Sequence, residues 1–168
     1  MKKETKKQLL IGAALVLELL FLLLYLNGRI DRLLDSDMSS EMILGQLLAR
    51  NNGILSDQWY YSTELRVLNT QLIYALFFRL SSNWHFVRMA STLVLWCVLI
   101  ASYGVLCRVM GCKKSFGVTA LLLAAPVSES YFRFVLAGVY YVPHLAIAFA
   151  ALALNEAYFK AKPDRKKF

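Results

Sequence analysis

The chain has 168 residues, a net charge of +8, 58% apolar and 18% charged residues, and a mean hydropathy of +0.50. That balance excludes an ordinary soluble domain. It also argues against a nucleic-acid partner. The ten lysines fall in three clusters (Lys2, Lys3, Lys6 and Lys7; Lys113 and Lys114; Lys160, Lys162, Lys166 and Lys167), each beside an apolar run, as the positive-inside bias predicts for cytoplasmic segments.

The predicted architecture is an all-α integral membrane protein, read as a single transmembrane module over 1–168. Four transmembrane helices are expected, over about 8–26, 84–108, 115–136 and 141–159. An outer loop, 27–83, carries two amphipathic interfacial helices, about 38–51 and 64–80. The first span is apolar from Gln8 to Leu26 except for Glu18, and about 20 such residues cross a hydrocarbon core. Its exit, Leu24-Tyr25-Leu26-Asn27, lacks a small-x-small cleavage pattern, so it reads as an uncleaved anchor. Glu18 near mid-span points to an interhelical contact or a functional acid.

The outer loop opens on Asp35-Ser36-Asp37-Met38-Ser39-Ser40-Glu41. Two readings of it stand side by side. Ser36 or Asp37 caps a helix, or an Asp works as a general base or as a ligand for a hard divalent cation, Mg²⁺ or Mn²⁺. Met38, Met42, Leu44 and Leu48 recur at helical spacing, and Asn52-Gly53 supplies a left-handed stop. Trp59, Tyr60 and Tyr61 form either an interfacial belt or a sugar-stacking wall.

The second span starts after Ser81-Ser82-Asn83, with Arg88 placed to snorkel to water or to meet an anionic partner. Cys97, Cys107 and Cys112 fit no zinc spacing and read as buried apolar residues. The third span meets Pro126 early, so it kinks there or stops. The fourth opens on Tyr140-Tyr141-Val142-Pro143-His144, with Pro143 in its first turn. Four crossings leave both termini cytoplasmic in the cell membrane. Asp35, Asp37, Glu41, Glu129, Arg133 and His144 then share the outer side. The arginines near that side have no lysine among them, which suits fork-like recognition of phosphate or carboxylate. Glu41, Trp59, Tyr60, Tyr61, Arg88, Glu129, Arg133, Tyr141 and His144 are therefore the substrate-binding candidates, with Asp35 and Asp37 the catalytic or metal-binding ones.

The anchor helix followed by Leu34-Asp35-Ser36-Asp37, then Asn52-Gly53-Ile54-Leu55, Trp59-Tyr60-Tyr61-Ser62-Thr63-Glu64-Leu65 and the later Tyr140-Tyr141-Val142-Pro143-His144, resembles the multipass GT-C-type glycosyltransferases. The resemblance covers nearly all of this chain but only the front third of such an enzyme. It implies transfer of a sugar from a polyprenyl-phosphate donor to an acceptor hydroxyl on the outer face, with Asp35 or Asp37 as base. Asp37 is favoured because it opens the interfacial helix. The partners implied are membrane lipids, the polyprenyl-phosphate sugar, and the remainder of a larger enzyme or a partner subunit. Two other classes compete. A non-catalytic four-helix scaffold or assembly subunit would read Asp37 as a cap. A transporter fragment is suggested by Glu18 and the break at Pro126.

Overall fold

The computed structural model describes residues 2–61 and 69–161, with side chains from Thr5 onward. Among these residues every regular element is helical. In chain order they are α1 (Lys2–Asn27), α2 (Ser36–Asn51), α3 (Thr70–Phe78), α4 (Trp84–Met110), α5 (Phe116–Ala124), α6 (Glu129–Tyr131), a π-helical segment (Phe132–Ala137) and α7 (Val142–Ala161). Three helices, Thr5–Asn27, Trp84–Met110 and Val142–Ala161, are long and apolar enough to cross a membrane, and there are four spans if the bent pair Phe116–Ala124 and Glu129–Ala137 counts as one. Only 11% to 28% of the apolar window in each long helix is buried within the protein. The remaining apolar surface therefore requires an apolar surrounding, as lipid provides.

The third expected span, 115–136, is not a straight crossing. α5 has 9 residues, about 14 Å of rise against a core about 30 Å thick. Pro126 follows, with no N–H to continue the ladder, and the chain turns by 87° into Glu129–Ala137. Tyr131 steadies the break by donating its hydroxyl to the Leu123 carbonyl at 2.5 Å.

Contacts fix which ends lie together. α5 starts beside the N-terminal part of α1, since a Cβ on Gly117 would stand 2.6 Å from Ile11. Lys160 on α7 donates to the Val109 carbonyl on α4 at 2.5 Å. These contacts define the lysine end. At the other end His85 on α4 meets Asp31 at 3.0 Å and Asn27 at 3.1 Å, just beyond α1. α1 is thus antiparallel to α4, α7 is parallel to it, and the broken α5–π segment carries the chain from the lysine end to the His85 end. The core between them is Leu22 and Leu26, Leu95, Trp96 and Leu99, and Leu136, Val139 and Val142, with the Trp96 indole N–H bonded to the Leu136 carbonyl at 3.0 Å.

α2 and α3 form a small hairpin over the His85 end. Gly45 permits it: a Cβ there would lie 2.7 Å from the Tyr74 Cβ and 3.1 Å from the Gln71 carbonyl oxygen, so the two backbones approach closely only because no side chain intervenes. Met42, Tyr74 and Val87 join the hairpin to α4. The second amphipathic helix, expected over 64–80, is the shorter Thr70–Phe78. Residues 62–68, including the Ser62-Thr63-Glu64-Leu65 portion of the family resemblance, lie outside the described residues. Cys107 is buried as expected, but Cys97 and Cys112 are exposed, and all three are free thiols.

Candidate functional site

The backbone at the start of α2 decides which aspartate does what. Asp35, not Ser36 or Asp37, is the N-cap: its backbone is extended (φ −103°, ψ −178°) and its Oδ1 accepts from the Met38 N–H at 2.9 Å. The expected cap is corrected by one or two residues, because the chain is already helical at Ser36. Asp37 instead sits exposed in the first turn, where negative charge is favourable at the positive end of the helix dipole. The far end behaves as expected, Asn52 taking the left-handed conformation at φ 50°.

The same Asp35 Oδ1 also accepts the hydroxyl of Tyr140, 105 positions away. Tyr140 is delivered by an unusual backbone. The π-helical segment ends with Gly138 N–H bonded to the Arg133 carbonyl at 2.8 Å, and Val139 follows at φ +54° while fully buried. A β-branched residue in the left-handed region carries strain that surrounding packing must hold. Gly138 is equally constrained. A Cβ there would stand 2.6 Å from the Arg133 oxygen, 2.8 Å from the Tyr140 ring and 3.0 Å from the Met38 methyl. This tight turn aims the Tyr140 hydroxyl at Asp35. Burial, the Asp35 hydrogen bond, and then the negative charges of Asp35, Asp37 and Glu41 all push the Tyr140 hydroxyl far above its usual range. It therefore remains protonated and a donor at any physiological pH. Burial and the charge of Glu41 hold Tyr74 protonated in the same way, against the opposing influence of Arg88.

Arg88 does not snorkel. It is 1% exposed, and its guanidinium donates to the Ile30 carbonyl at 2.8 Å, to the Met38 sulfur and to the Ala137 carbonyl at 3.5 Å. One side chain thus ties the segment after α1, the start of α2 and the end of the π-helical segment to α4. Its burial makes it a strut between protein groups rather than an exposed anion receptor. Glu41 is also buried, at 5% exposure, and accepts from the Asn69 side-chain amide at 3.1 Å.

The aromatic triplet divides. Trp59 and Tyr61 pack under α2 and α3 against Leu44, Leu48 and Ala75, and the Tyr61 oxygen accepts from the Ser56 N–H at 3.1 Å. Tyr60 is 90% exposed. Glu129 and Arg133 face each other across one turn at 3.9 Å, both largely exposed, and neither enters the Asp35 hydrogen-bond set. Tyr141 and His144 are exposed beside Tyr140. The Tyr141 ring lies 6.4 Å from those of His144 and Phe134, and His144 Nδ1 faces the Tyr140 carbonyl at 3.3 Å. Asp35, Asp37, Glu41 and Tyr140 are therefore neighbours, with Tyr141 and His144 at their rim.

The donor set does not suit a protein-held cation. Among the described residues no three His, Cys, Asp or Glu side chains come together as a metal site, and Asp35 Oδ1 already accepts two hydrogen bonds. Neither the Tyr140 bond to Asp35 nor the His85–Asp31–Asn27 cluster carries a local sequence signal, and nor does the burial of Thr70, Gln71, Ser91 and Thr92. No family model, curated protein or solved structure matches the chain.

Proposed function

We propose that the chain is a membrane glycosyltransferase, or the N-terminal catalytic module of one, acting from a polyprenyl-phosphate sugar at the outer face of the membrane, with α2 and α3 at the interface. The supporting observation is the gathering of Asp35, Asp37 and Glu41 about the Tyr140 hydroxyl, at the end of the bundle away from Lys113, Lys114 and Lys160. In this reading Asp37 is the general base. It is exposed and reaches water, whereas Asp35 is committed to the Met38 N–H and the Tyr140 hydroxyl and so positions the first turn. The acceptor hydroxyl gives its proton to the Asp37 carboxylate as its oxygen bonds to the sugar anomeric carbon. The bond from that carbon to the phosphate oxygen breaks on the opposite face, and the polyprenyl phosphate leaves with the electron pair. His144, exposed at the rim, is the group placed to meet the phosphate. Tyr60 and Tyr141, both exposed, offer aromatic surface for a sugar.

Loss of a positioned base costs about 10² to 10⁴ in rate. In proteoliposomes supplied with polyprenyl-phosphate sugar, Asp37→Asn should lose transfer by that factor while keeping its fold. Full activity in Asp37→Asn would remove the proposed base, and full activity in Asp35→Asn as well would leave the first outer loop without one.

A second reading is favoured by a specific observation: Asp35, Glu41 and Arg88 are all engaged in internal hydrogen bonds. In that reading the chain is a scaffold or assembly subunit whose α2–α3 hairpin receives a partner. A stable larger membrane complex, unaffected by Asp37→Asn and lacking transfer activity, is its signature.

A further inference from the structure

At the lysine end a groove of about 660 Å³ opens between α1, α4 and α5. Its wall is apolar, including Leu19, Ile100, Ala101 and Phe116, and Arg108 and Lys113 line it as well. Both cations are exposed. The volume lies within the range of small-molecule sites, but the shape of the chemistry differs from that of a soluble-ligand pocket. From Cys97 to Arg108, both lining residues, α4 rises about 16 Å, so one long apolar channel ends at a pair of positive charges. Gly104 keeps it open by allowing Phe116 to lie against α4, where a Cβ would stand 3.2 Å from the ring. Lys160 is differently employed at this end, donating to Val109 and pairing with Glu156 at 3.2 Å. Arg108 and Lys113 are thus the cations that face the groove.

We infer that this groove is a binding site for an anionic phospholipid of the bilayer, one acyl chain lying along α4 and the phosphate headgroup held by Arg108 and Lys113. Charge complementarity selects the occupant. A soluble anion would leave the apolar wall uncovered, and a zwitterionic lipid, whose phosphate carries its own compensating ammonium, would leave the charge of the two cations unbalanced. Basic pockets between spanning helices hold acidic headgroups in this manner, each cation near the surface contributing about a fivefold preference. The site is distinct from the Asp35 cluster, and its test does not depend on any sugar transfer.

The test is native mass spectrometry of the purified chain released from mixed micelles containing equal amounts of dioleoyl phosphatidylglycerol and dioleoyl phosphatidylcholine. The wild type should retain phosphatidylglycerol over phosphatidylcholine by about 25-fold, two cations at about fivefold each. Arg108→Gln and Lys113→Gln should each lower the preference about fivefold, whereas Arg29→Gln at the opposite end should leave it unchanged. Ala101→Phe, which obstructs the channel, should lower retention of both lipids. Lys113 lies in an exposed turn, so its substitution reports on binding without endangering the fold. Equal retention of the two lipids by the wild type would overturn the site, as would an Arg29→Gln loss matching that of Lys113→Gln.

Discussion

At the Asp35 end the arginine of the bundle is buried and shared among Ile30, Met38 and Ala137, while at the lysine end Arg108 and Lys113 stand exposed beside an apolar groove. The first end is held together by its polar groups; the second presents them. The contrast follows from backbone geometry. At the Asp35 end irregular chain, a left-handed valine and a π-helical segment expose carbonyls that need donors, and Arg88 supplies them. At the lysine end the helices meet through small or apolar residues such as Gly117 and Ile11, and the Val109 carbonyl is met by Lys160 rather than by a cation of the groove. The buried charge of Arg88 therefore stabilises the first end, whereas Arg108 and Lys113 at the other are available for recognition.

Substitutions should separate the two ends by size of effect. Arg88→Met should be the most damaging, at about 3–5 kcal/mol, because it leaves the buried Ile30 and Ala137 carbonyls without their donor. Thermal unfolding in detergent measures it, and a loss below about 1 kcal/mol would show that Arg88 is not the strut. Gly138→Ala should cost about 1–3 kcal/mol, since the new methyl meets the Arg133 oxygen and the Tyr140 ring. Asp35→Ala should cost about 1–3 kcal/mol, through the lost cap and the Tyr140 hydroxyl left without its acceptor, whereas Lys113→Gln at the other end should fall within about 0.5 kcal/mol of wild type.

The smallest effect expected is a pH dependence from Tyr140 at the Asp35 end. The Tyr140 hydroxyl is raised above the ordinary tyrosine value by burial and by Asp35. Its contribution to stability is fully present below about pH 10, where the unfolded tyrosine ionises, and is lost as pH rises toward the folded value. Tyr140→Phe should reduce that alkaline decline, to which Tyr74 also contributes, measured as melting temperature against pH. An unchanged slope would detach Tyr140 from Asp35.

The long helices were legible because an apolar run near membrane length permits few other structures, and α2 was legible because its apolar stripe and Asn52-Gly53 stop agree. Pro126 announced a break, but the 87° turn depends on packing of Tyr131 and the π-helical segment, which leaves no periodic trace. The candidate site was legible only as a set of residue types on one side. Asp35 and Asp37 are chemically identical in sequence, and only the backbone angle at Asp35 makes it the cap. The Tyr140 bond spans 105 positions and has no local signal. Arg88 was misplaced because snorkelling is the ordinary fate of an arginine near a helix end, and nothing adjacent reveals that Ala137 will stand opposite it.

Cysteine accessibility tests the division of the molecule most directly. With the native cysteines replaced, a membrane-impermeant maleimide applied to intact cells should label Asp37→Cys at once and Lys113→Cys only after the membrane is opened. Labelling of both from one side, or of Asp37→Cys only from the cytosol, would contradict the account.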